Sequence, residues 1–264
     1  MNFTGKTIWI TGASSGIGEA LAAEWAQYKP VLILSGRNAG KLNEVKERCE
    51  KKGAACLVVP LDLTDTSSIS DAALKVFSLY PKIDILVNNG GISQRSYAVE
   101  TPVEVDRSIF ETNFFGAVTL TKKVLPAMVK NNDGHIVVLS SVVGKFGFPM
   151  RTGYSASKHA LQGYFESLRA ELKANNIRVT IVSPGRIFTN ISINAINKNG
   201  EKHGVMDEGQ AKGMPVEKCA KKIIRAVKVY KKDILIGRGE LLMYYIHKYL
   251  PCIYYNLAAK IKPT

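Results

Sequence analysis

Short apolar runs and helix-like stretches alternate along most of this chain. The runs are rich in Val, Ile and Leu on both faces, which is typical of strands buried in a parallel sheet. Asn38 can cap the helix after the second run, and Asp65 or Thr66 can cap the helix after the third. The alternation predicts one α/β domain over residues 1–264, with a doubly wound parallel sheet and helices on both faces. The predicted strands cover 7–11, 31–35, 56–60, 83–87, 136–140 and 179–183.

A glycine-rich turn follows the first predicted strand and opens a helix that continues to about Tyr28. Three glycines let the backbone turn tightly and approach a pyrophosphate with no Cβ in the way. The free N–H groups and the positive dipole end of the following helix favour phosphate. A bare turn is the alternative, but the position between strand and helix predicts a dinucleotide site in a Rossmann-type sheet. The predicted contacts are Gly12, Ser14, Ser15, Gly16, Ile17 and Gly18.

The end of the second predicted strand bears on the choice between NAD and NADP. An NAD site usually has a carboxylate here, which accepts a hydrogen bond from the ribose 2′-hydroxyl. This chain has Ser35-Gly36-Arg37 instead, and an arginine would pair with a 2′-phosphate and stack on adenine. A solvated surface arginine is the alternative. The sequence therefore predicts NADP(H) as the cofactor, with Arg37 as one of its ligands.

Two further turns follow predicted strands and complete the expected cofactor site. Asp62, after the third strand, can hydrogen-bond the adenine ring. The turn Asn88-Asn89-Gly90-Gly91, after the fourth, lets the backbone pass close to the adenosine ribose, and its amides can tie neighbouring strand ends together. An ordinary turn is the alternative reading of each. The predicted contacts in these turns are Asp62, Leu63, Asn89, Gly90 and Gly91.

A phenol and an ammonium group stand four residues apart at Tyr154 and Lys158 and would share one face of a helix. Hydride transfer to a ketone needs a proton donor and a group that holds the oxygen. Lowering the phenol pKa from about 10 to neutrality takes about 4 kcal/mol, which the lysine and nicotinamide cations are expected to supply. Ser141, thirteen positions before the tyrosine, can hold the oxygen. Asn113 lies in a predicted amphipathic helix along the same cleft, where a water leading to the lysine would satisfy its amide.

Together these motifs resemble the short-chain dehydrogenase/reductase family, in order, from about Lys6 to Tyr230. The motifs are TGASSGIG, NNGG, the Asn113 segment, SS followed by YSASK, and SPGRIFTN. Gly90 departs from the family pattern, which usually has alanine there. The resemblance also implies a homodimer or homotetramer. It implies a catalytic tetrad of Asn113, Ser141, Tyr154 and Lys158, cofactor contacts by Tyr154 and Lys158, and a nicotinamide flanked by Pro184, Gly185, Ile187 and Thr189.

The substrate side is predicted from a long irregular segment and its apolar residues. Residues 185–213 lose periodicity and are rich in Asn, Lys and Gly, which predicts a substrate lid, with a disordered segment as the alternative. The stretch SSVVGKFGFPMRTGYSASKHAL is similar to the microsomal hydroxysteroid and retinoid-type members of the family and their orphan relatives. A hydrophobic, lipid-like substrate is expected, although core packing would explain the same residues. The apolar residues are Phe146, Phe148, Met150, Ile191, Ile193, Ile196, Val205 and Met206.

The last segment, 238–264, combines five tyrosines with short apolar runs, and Lys248, Lys260 and Lys262 flank them. Such a tail suits a membrane interface, packing over the cleft or a dimer contact, and these alternatives stay open. The formal charge of +14 fits a solvated basic surface, an anionic ligand, a membrane surface or an acidic carrier protein. No nucleic-acid module is recognisable, so nucleic acid is not an expected partner.

The four cysteines are scattered, with neither a metal-type pair nor a disulfide framework. We therefore predict no metal site and a reducing, cytoplasmic location, with peripheral membrane attachment as the alternative. The chain start shows no secretory signal, and no apolar stretch reaches the roughly 18 residues of a membrane span.

The sequence predicts an NADP(H)-dependent oxidoreductase that transfers hydride between nicotinamide and the carbonyl or alcohol of an apolar lipid-, steroid- or retinoid-like substrate. The second hypothesis is a 3-oxoacyl-carrier-protein reductase, because a basic surface would attract an acidic carrier; the aromatic tail and long lid count against it. The third is a non-catalytic NADP-binding sensor or scaffold, against which the complete tetrad counts.

Overall fold

A computed structural model describes residues 1–260, and a single parallel sheet forms their centre. The strands are β1 (Thr7–Thr11), β2 (Val31–Gly36), β3 (Ala55–Pro60), β4 (Ile85–Asn88), β5 (Gly134–Leu139), β6 (Ile177–Pro184) and β7 (Asp233–Ile236). Their order across the sheet is β3-β2-β1-β4-β5-β6-β7, and every neighbouring pair is parallel. The predicted α/β doubly wound fold is confirmed.

All six predicted strands are present with bounds within two residues of the expectation, and two differences from the expectation have a structural reason. β4 starts two residues later than predicted, because the Asp84 carboxylate accepts hydrogen bonds from the Thr7 backbone N–H at 2.9 Å and from Lys6 Nζ at 2.8 Å. β7 was not predicted at all. It is a four-residue edge strand that begins with an exposed aspartate, so it lacks the run of apolar residues that marks the inner strands.

Helices cover both faces of the sheet. They are α1 (Gly16–Trp25), α2 (Ala39–Glu50), α3 (Thr66–Leu79), α4 (Val103–Phe110), α5 (Gly116–Lys130), α6 (Thr152–Glu171), α7 (Glu208–Ala211), α8 (Val216–Lys228), α9 (Leu241–Tyr249) and α10 (Pro251–Ala258). Buried side chains from α1, α2 and α8 form one apolar core with the sheet, and those from α3, α5 and α6 form the other. Both predicted caps are present: Asn38 Oδ1 accepts from the Lys41 N–H, and Asp65 Oδ1 accepts from the Ser67 N–H.

The strand order reverses between β1 and β4, and this positions the site. From β1 the chain builds the sheet outward through β2 and β3, and from β4 it builds in the opposite direction. The loops after β1 and β4 therefore diverge and leave a crevice at the carboxyl edge, which is where ligands bind in open parallel sheets.

The aromatic tail forms a helical pair over this crevice. Tyr254 of α10 is only 3% exposed and packs with Phe146 and Tyr154 in a small apolar cluster. Its hydroxyl donates to the carbonyl of Gly147. Positions 261–264 of the predicted tail, Lys262 among them, lie outside the described residues.

Candidate active site

A cavity of about 1110 Å³ opens at the carboxyl edge of the sheet. Residues at the ends of β1, β4, β5 and β6 form its floor, and the segment after β6 and helix α9 contribute to its walls. Of the predicted tetrad, Ser141, Tyr154 and Lys158 line the cavity, whereas Asn113 does not. The predicted cofactor contacts that line it are Gly12, Ser14, Ser15, Gly16, Ile17, Arg37, Asp62, Leu63, Asn89, Gly90, Gly91, Tyr154, Lys158, Pro184, Gly185, Ile187 and Thr189.

The glycine-rich turn forms a cradle of the shape that a pyrophosphate needs. Gly12 and Gly16 have φ values of +64° and +57°, which L side chains rarely adopt. The Ser15 side chain makes no cap hydrogen bond, so the first N–H groups of α1 keep their donors free at the cavity wall. Gly18 does not line the cavity; it packs behind the turn, where a Cβ would collide with the Gly12 carbonyl. These residues fit a dinucleotide.

The turns after β2 and β3 lie at the other end of the cavity. Arg37 is exposed, and Lys41 on α2 adds a second cation to the same wall. The Asp62 carboxylate accepts from the Thr64 N–H at 2.9 Å and from the Thr64 hydroxyl at 2.8 Å. Its Oδ1 therefore already organises the turn, and Arg37 and Lys41 make this end of the cavity positively charged.

The turn after β4 ties the two diverging strands together. Asn89 Nδ2 donates to the Thr11 carbonyl at 2.9 Å, and the Thr11 hydroxyl accepts from the Gly90 N–H at 3.0 Å. A Cβ on Gly90 would lie 2.5 Å from Leu63 Cδ1. The end of the leucine side chain occupies the space of an alanine methyl, so the alanine usual in the family would require Leu63 to shift.

Ser141, Tyr154 and Lys158 converge because β5 ends beside the start of α6. Tyr154 and Lys158 lie one turn apart on α6 and are 8% and 4% exposed. Lys158 Nζ donates to the Leu139 carbonyl at 2.7 Å and lies 5.8 Å from the centroid of the Tyr154 ring. Ser141 follows β5 and donates its hydroxyl to the Pro184 carbonyl at 3.3 Å.

Burial controls the ionisation of the phenol and the ammonium group. It lowers the pKa of Lys158 to about 8. It raises the pKa of Tyr154 above its ordinary value, although the Ser141 hydroxyl and the nearby cations of Arg95 and Arg151 act in the opposite direction. Among the protein's own groups, burial outweighs these effects; the expected lowering of the phenol pKa also relies on the nicotinamide cation and stays a prediction. The phenol is protonated at neutral pH, as a proton donor must be.

Asn113 lies behind the cavity in a π-helical turn, Glu111–Phe115, between α4 and α5, and not in the regular helix that was predicted. Such turns often mark functional sites. Its Oδ1 accepts from the Ile92 N–H at 2.8 Å, and its Nδ2 donates to the Ile92 carbonyl at 2.9 Å and to Ser157 Oγ at 3.0 Å. Protein groups therefore accept both hydrogen bonds of the side-chain amide and occupy one of the two acceptor positions of Oδ1. The side chain fixes the loop after β4 against α6.

The predicted lid packs against the loop after β4 and closes the far side of the cavity. Ile196 pairs with Gln94 in an isolated β-bridge, and the segment ends in the short helix α7. Of the apolar residues expected to face substrate, Phe146, Phe148, Ile191 and Ile196 line the cavity. Met150, Ile193, Val205 and Met206 do not.

A buried ion cluster on this side was missed by the sequence analysis. Arg95, after β4, and Arg151, before α6, both bond to Asp207 of the lid segment. Gln94 Oε1 in the same loop accepts from the Tyr154 N–H at 3.2 Å and so positions the start of α6. The only local sign of this cluster in the sequence was Arg151, a charged residue at the end of the apolar stretch before Tyr154.

Comparison with known proteins bears on this combination of fold and site. The profile of the short chain dehydrogenase family matches residues 6–200. The chain belongs to the short-chain dehydrogenase/reductase family. A Drosophila melanogaster relative named dehydrogenase/reductase SDR family protein 7-like is 42% identical over 261 residues, which cover 97% of this chain and 80% of the relative. Dehydrogenase/reductase SDR family member 7B of Bos taurus is 40% identical over 257 residues, covering 95% and 79%.

Solved structures of the family share the same fold. A short-chain dehydrogenase from Streptomyces avermitilis aligns with a TM-score of 0.81 at 28% identity, over 97% of this chain and 96% of that one. A Burkholderia phymatum member, solved in complex with NAD, aligns with a TM-score of 0.85 at 22% identity, over 100% and 98%. Family membership makes the chain an oxidoreductase that uses a nicotinamide cofactor and a small-molecule substrate.

Residues 1–260 contain neither a membrane-spanning helix nor a metal-binding cluster. None of the helices there combines the length and apolar character needed to cross a bilayer. The same part of the chain holds no cluster of His, Cys, Asp and Glu side chains that could bind a metal ion.

Proposed function

We propose that this family member is an NADP(H)-dependent carbonyl reductase, or the reverse alcohol dehydrogenase, for an apolar substrate. The observation that carries the proposal is the convergence of Ser141, Tyr154 and Lys158 in one cavity with the glycine-rich turn. The test measures NADPH oxidation by absorbance with steroid, retinoid and fatty-chain carbonyl compounds as substrates. Turnover of at least one class is expected, and failure of every class in both directions would contradict the proposal.

The chain's own residues account for the proton chemistry of the reaction. The cofactor, when bound, supplies or accepts the hydride. In reduction, Tyr154 donates its phenolic proton to the carbonyl oxygen, and the Ser141 hydroxyl turns from the Pro184 carbonyl to donate a hydrogen bond to the same oxygen. Lys158 places positive charge beside the phenol and stabilises the phenolate that remains. Asn113 is a positioning residue, since its amide connects the loop after β4 to α6.

The preference for NADP(H) is proposed from the charges at the end of β2. Arg37 and Lys41 line that end of the cavity, and neither Gly36 nor Arg37 offers a carboxylate to a ribose 2′-hydroxyl. The nearest acid that lines this wall, Asp62, is engaged by Thr64. A 2′-phosphate would therefore meet two cations, which is the arrangement that an arginine and a lysine offer to phosphate.

Gly36→Asp should reverse the cofactor preference. Its Cβ would lie 3.4 Å from Ser14 Oγ, so the new carboxylate fits and stands where it repels a 2′-phosphate and accepts from a 2′-hydroxyl. We expect NADPH binding to weaken about tenfold to a hundredfold, and NADH binding to strengthen. Fluorescence titration with both cofactors measures the change.

Gly163→Asp is the matched control, because it adds the same charge at an exposed position of α6 that lies outside the cavity lining and has no atom within 4 Å of the new Cβ. It should leave the preference unchanged. A wild type that prefers NADH, or two variants that behave alike, would show that this turn does not select the cofactor.

The two other functions suggested by the sequence would each require different features of the structure. A 3-oxoacyl-carrier-protein reductase would need a route for a carrier-bound chain past the lid and the α9–α10 pair. A sensor or scaffold would not need Tyr154, Lys158 and Ser141 in one cavity. The apolar wall of Phe146, Phe148 and the α9–α10 tail supports an apolar small molecule instead. The homodimer or homotetramer stays a prediction.

The outer face of the α9–α10 pair is proposed to contact an anionic membrane surface. Leu242, Tyr249, Leu250, Ile253 and Tyr255 are each about half or more exposed, although other residues of both helices pack on the protein. Residues 241–260 contain two lysines and no carboxylate, and the whole chain carries a formal charge of +14. Apolar side chains flanked by cations suit such an interface.

Replacing Leu242 and Ile253 together by aspartate should release the protein from anionic liposomes in sedimentation assays. The wild type should bind at low salt and weaken at high salt, since each basic residue contributes about 1 kcal/mol near the surface. The double variant Leu74→Asp and Val99→Asp changes two apolar residues elsewhere that are even more exposed and should still bind. A wild type that stays in the supernatant at both salt concentrations would leave the tail a purely structural element.

A further inference from the structure

The substrate side of the cavity contains a cation that the proposed chemistry does not use. Arg151 lies three residues before Tyr154, lines the cavity, and has a side chain that is 14% exposed. Its Nη2 donates to Asp207 Oδ2 at 3.1 Å. Its guanidinium carbon lies 5.0 Å from the centroid of the Phe148 ring, which lines the same cavity. The cation thus lies beside the apolar wall of the cavity that also holds the reacting phenol.

Asp207 is already paired with another arginine. Arg95 Nε donates to both carboxylate oxygens, at 3.2 and 3.0 Å, and its Nη2 donates to Oδ2 at 2.5 Å. Arg95 Nη1 donates to Ser93 Oγ at 2.9 Å and to the Gln94 carbonyl at 2.6 Å. The fork of Arg95 is therefore satisfied, and one carboxylate serves two guanidinium groups. The cluster keeps a surplus positive charge, which falls to Arg151.

The hydrogen-bonding capacity of Arg151 is incompletely used. Its Nη1 is buried and has no hydrogen-bond partner within residues 1–260. A buried donor that lacks an acceptor costs about 1–3 kcal/mol, and more when it is charged. Burial and the charge of Arg95 lower the pKa of Arg151 to about 10, so the group is still a cation at neutral pH. This unfavourable free energy would be offset by a ligand that pairs with the cation.

The cavity as a whole has more cations than a nucleotide end needs. Its cationic lining residues near β2 are Arg37 and Lys41, and the other end holds Arg95, Arg151, Lys158, Arg186 and Lys202. The carboxylates that line it are Asp62, Asp207 and Glu240. The excess positive charge at the substrate end would attract a second anionic group, in addition to the phosphates of the cofactor.

We propose that the substrate is an apolar carbonyl or alcohol compound carrying an anionic oxygen group, a carboxylate or a phosphate, that pairs with Arg151. The inference rests on the proposed function of the same cavity. The apolar part of the compound lies along Phe146 and Phe148, and the reacting oxygen meets Tyr154. A neutral compound of the same shape leaves Arg151 without a second anionic partner beside Asp207. Arg151 therefore binds the anionic group and also favours anionic over neutral substrates.

The experiment uses matched pairs of probes, so that binding and turnover are judged separately. One pair is a medium-chain oxo acid and its methyl ester; the other is a long-chain hydroxyketone phosphate monoester and the free hydroxyketone. Binding to NADP⁺-loaded protein is measured by calorimetry, and turnover by NADPH absorbance. The ionised member of at least one pair should bind about tenfold or more tightly, and the pair with the larger ratio distinguishes carboxylate from phosphate.

Three variants assign this preference to Arg151. In Arg151→Met the binding ratio should fall to about twofold or less, and KM for the ionised probe should rise more than kcat falls. Arg151→Lys keeps the charge but loses the planar fork, so it should retain part of the ratio. Arg225→Met removes an exposed arginine on α8, outside the cavity lining, and should keep the wild-type ratio.

Equal binding of ionised and neutral probes by the wild type would overturn the inference, whatever the turnover. A preference that survives in Arg151→Met would overturn it as well. A charge preference that disappears in Arg151→Met supports it even if no probe is turned over, and that result would count against the proposed function alone.

Discussion

Replacing Tyr154 by phenylalanine should lower kcat by between about a hundredfold and ten-thousandfold, because general acid catalysis contributes on this scale. The change removes one hydroxyl and keeps the ring in its cluster with Val143, Phe146 and Tyr254. Cofactor binding should therefore persist. Steady-state turnover of a confirmed substrate, together with a cofactor titration, measures the two effects separately.

Tyr164→Phe is the control for this change. Tyr164 lies on the same helix and is partly buried, but it does not line the cavity. Its variant should keep wild-type turnover. If Tyr154→Phe also kept it, the phenol would not be the proton donor, and the neutral state that burial enforces would have no catalytic meaning.

The parts of the fold that the sequence predicts are those with a local physical signature. The inner strands are apolar on both faces, and Asn38 and Asp65 precede helices as capping residues do. β7 has no such signature, because an exposed edge strand that starts with an aspartate does not look buried. The β4 boundary depends on Asp84 bonding to a residue 77 positions away, which no local pattern contains.

The site follows the same division. Glycines and the Tyr154–Lys158 spacing are local patterns, so their common cavity could be predicted from topology. The Arg95–Asp207 pair joins positions 112 residues apart, and only the folded lid brings them together. The direction of the Tyr154 pKa could not be read either, since it depends on how completely the tail and α6 bury the phenol. The sequence shows which residues are present, but it does not show how far distant parts of the chain bury them.

Lys158→Met should remove most of the turnover and also change how stability depends on pH. The lysine is proposed to stabilise the phenolate of Tyr154 and to bind the cofactor, so kcat should fall by about a hundredfold or more while the cofactor binds less tightly. The stability effect is independent of any ligand. It arises because burial lowers the pKa of this ammonium group to about 8, from an ordinary value of 10.5.

Between these two pKa values the unfolded chain binds more protons at Lys158 than the folded protein does. The free energy of unfolding contributed by this group therefore rises with pH across that window. From about pH 7.5 to about pH 9.5 the rise amounts to about 2 kcal/mol. Urea unfolding of the cofactor-free wild type at both pH values should contain this increment, and Lys158→Met should lack it. Comparing the two proteins cancels the other groups that titrate.

Loss of the Leu139 hydrogen bond lowers the stability of Lys158→Met by a similar amount at every pH, so it does not imitate the effect. Lys221→Met, an exposed lysine on α8, should keep the wild-type increment. If Lys158→Met also kept it, the lysine would be charged in the folded protein over the whole range. Lys158 would then stay a cation beside Tyr154 over the whole range, and its charge would not respond to pH there.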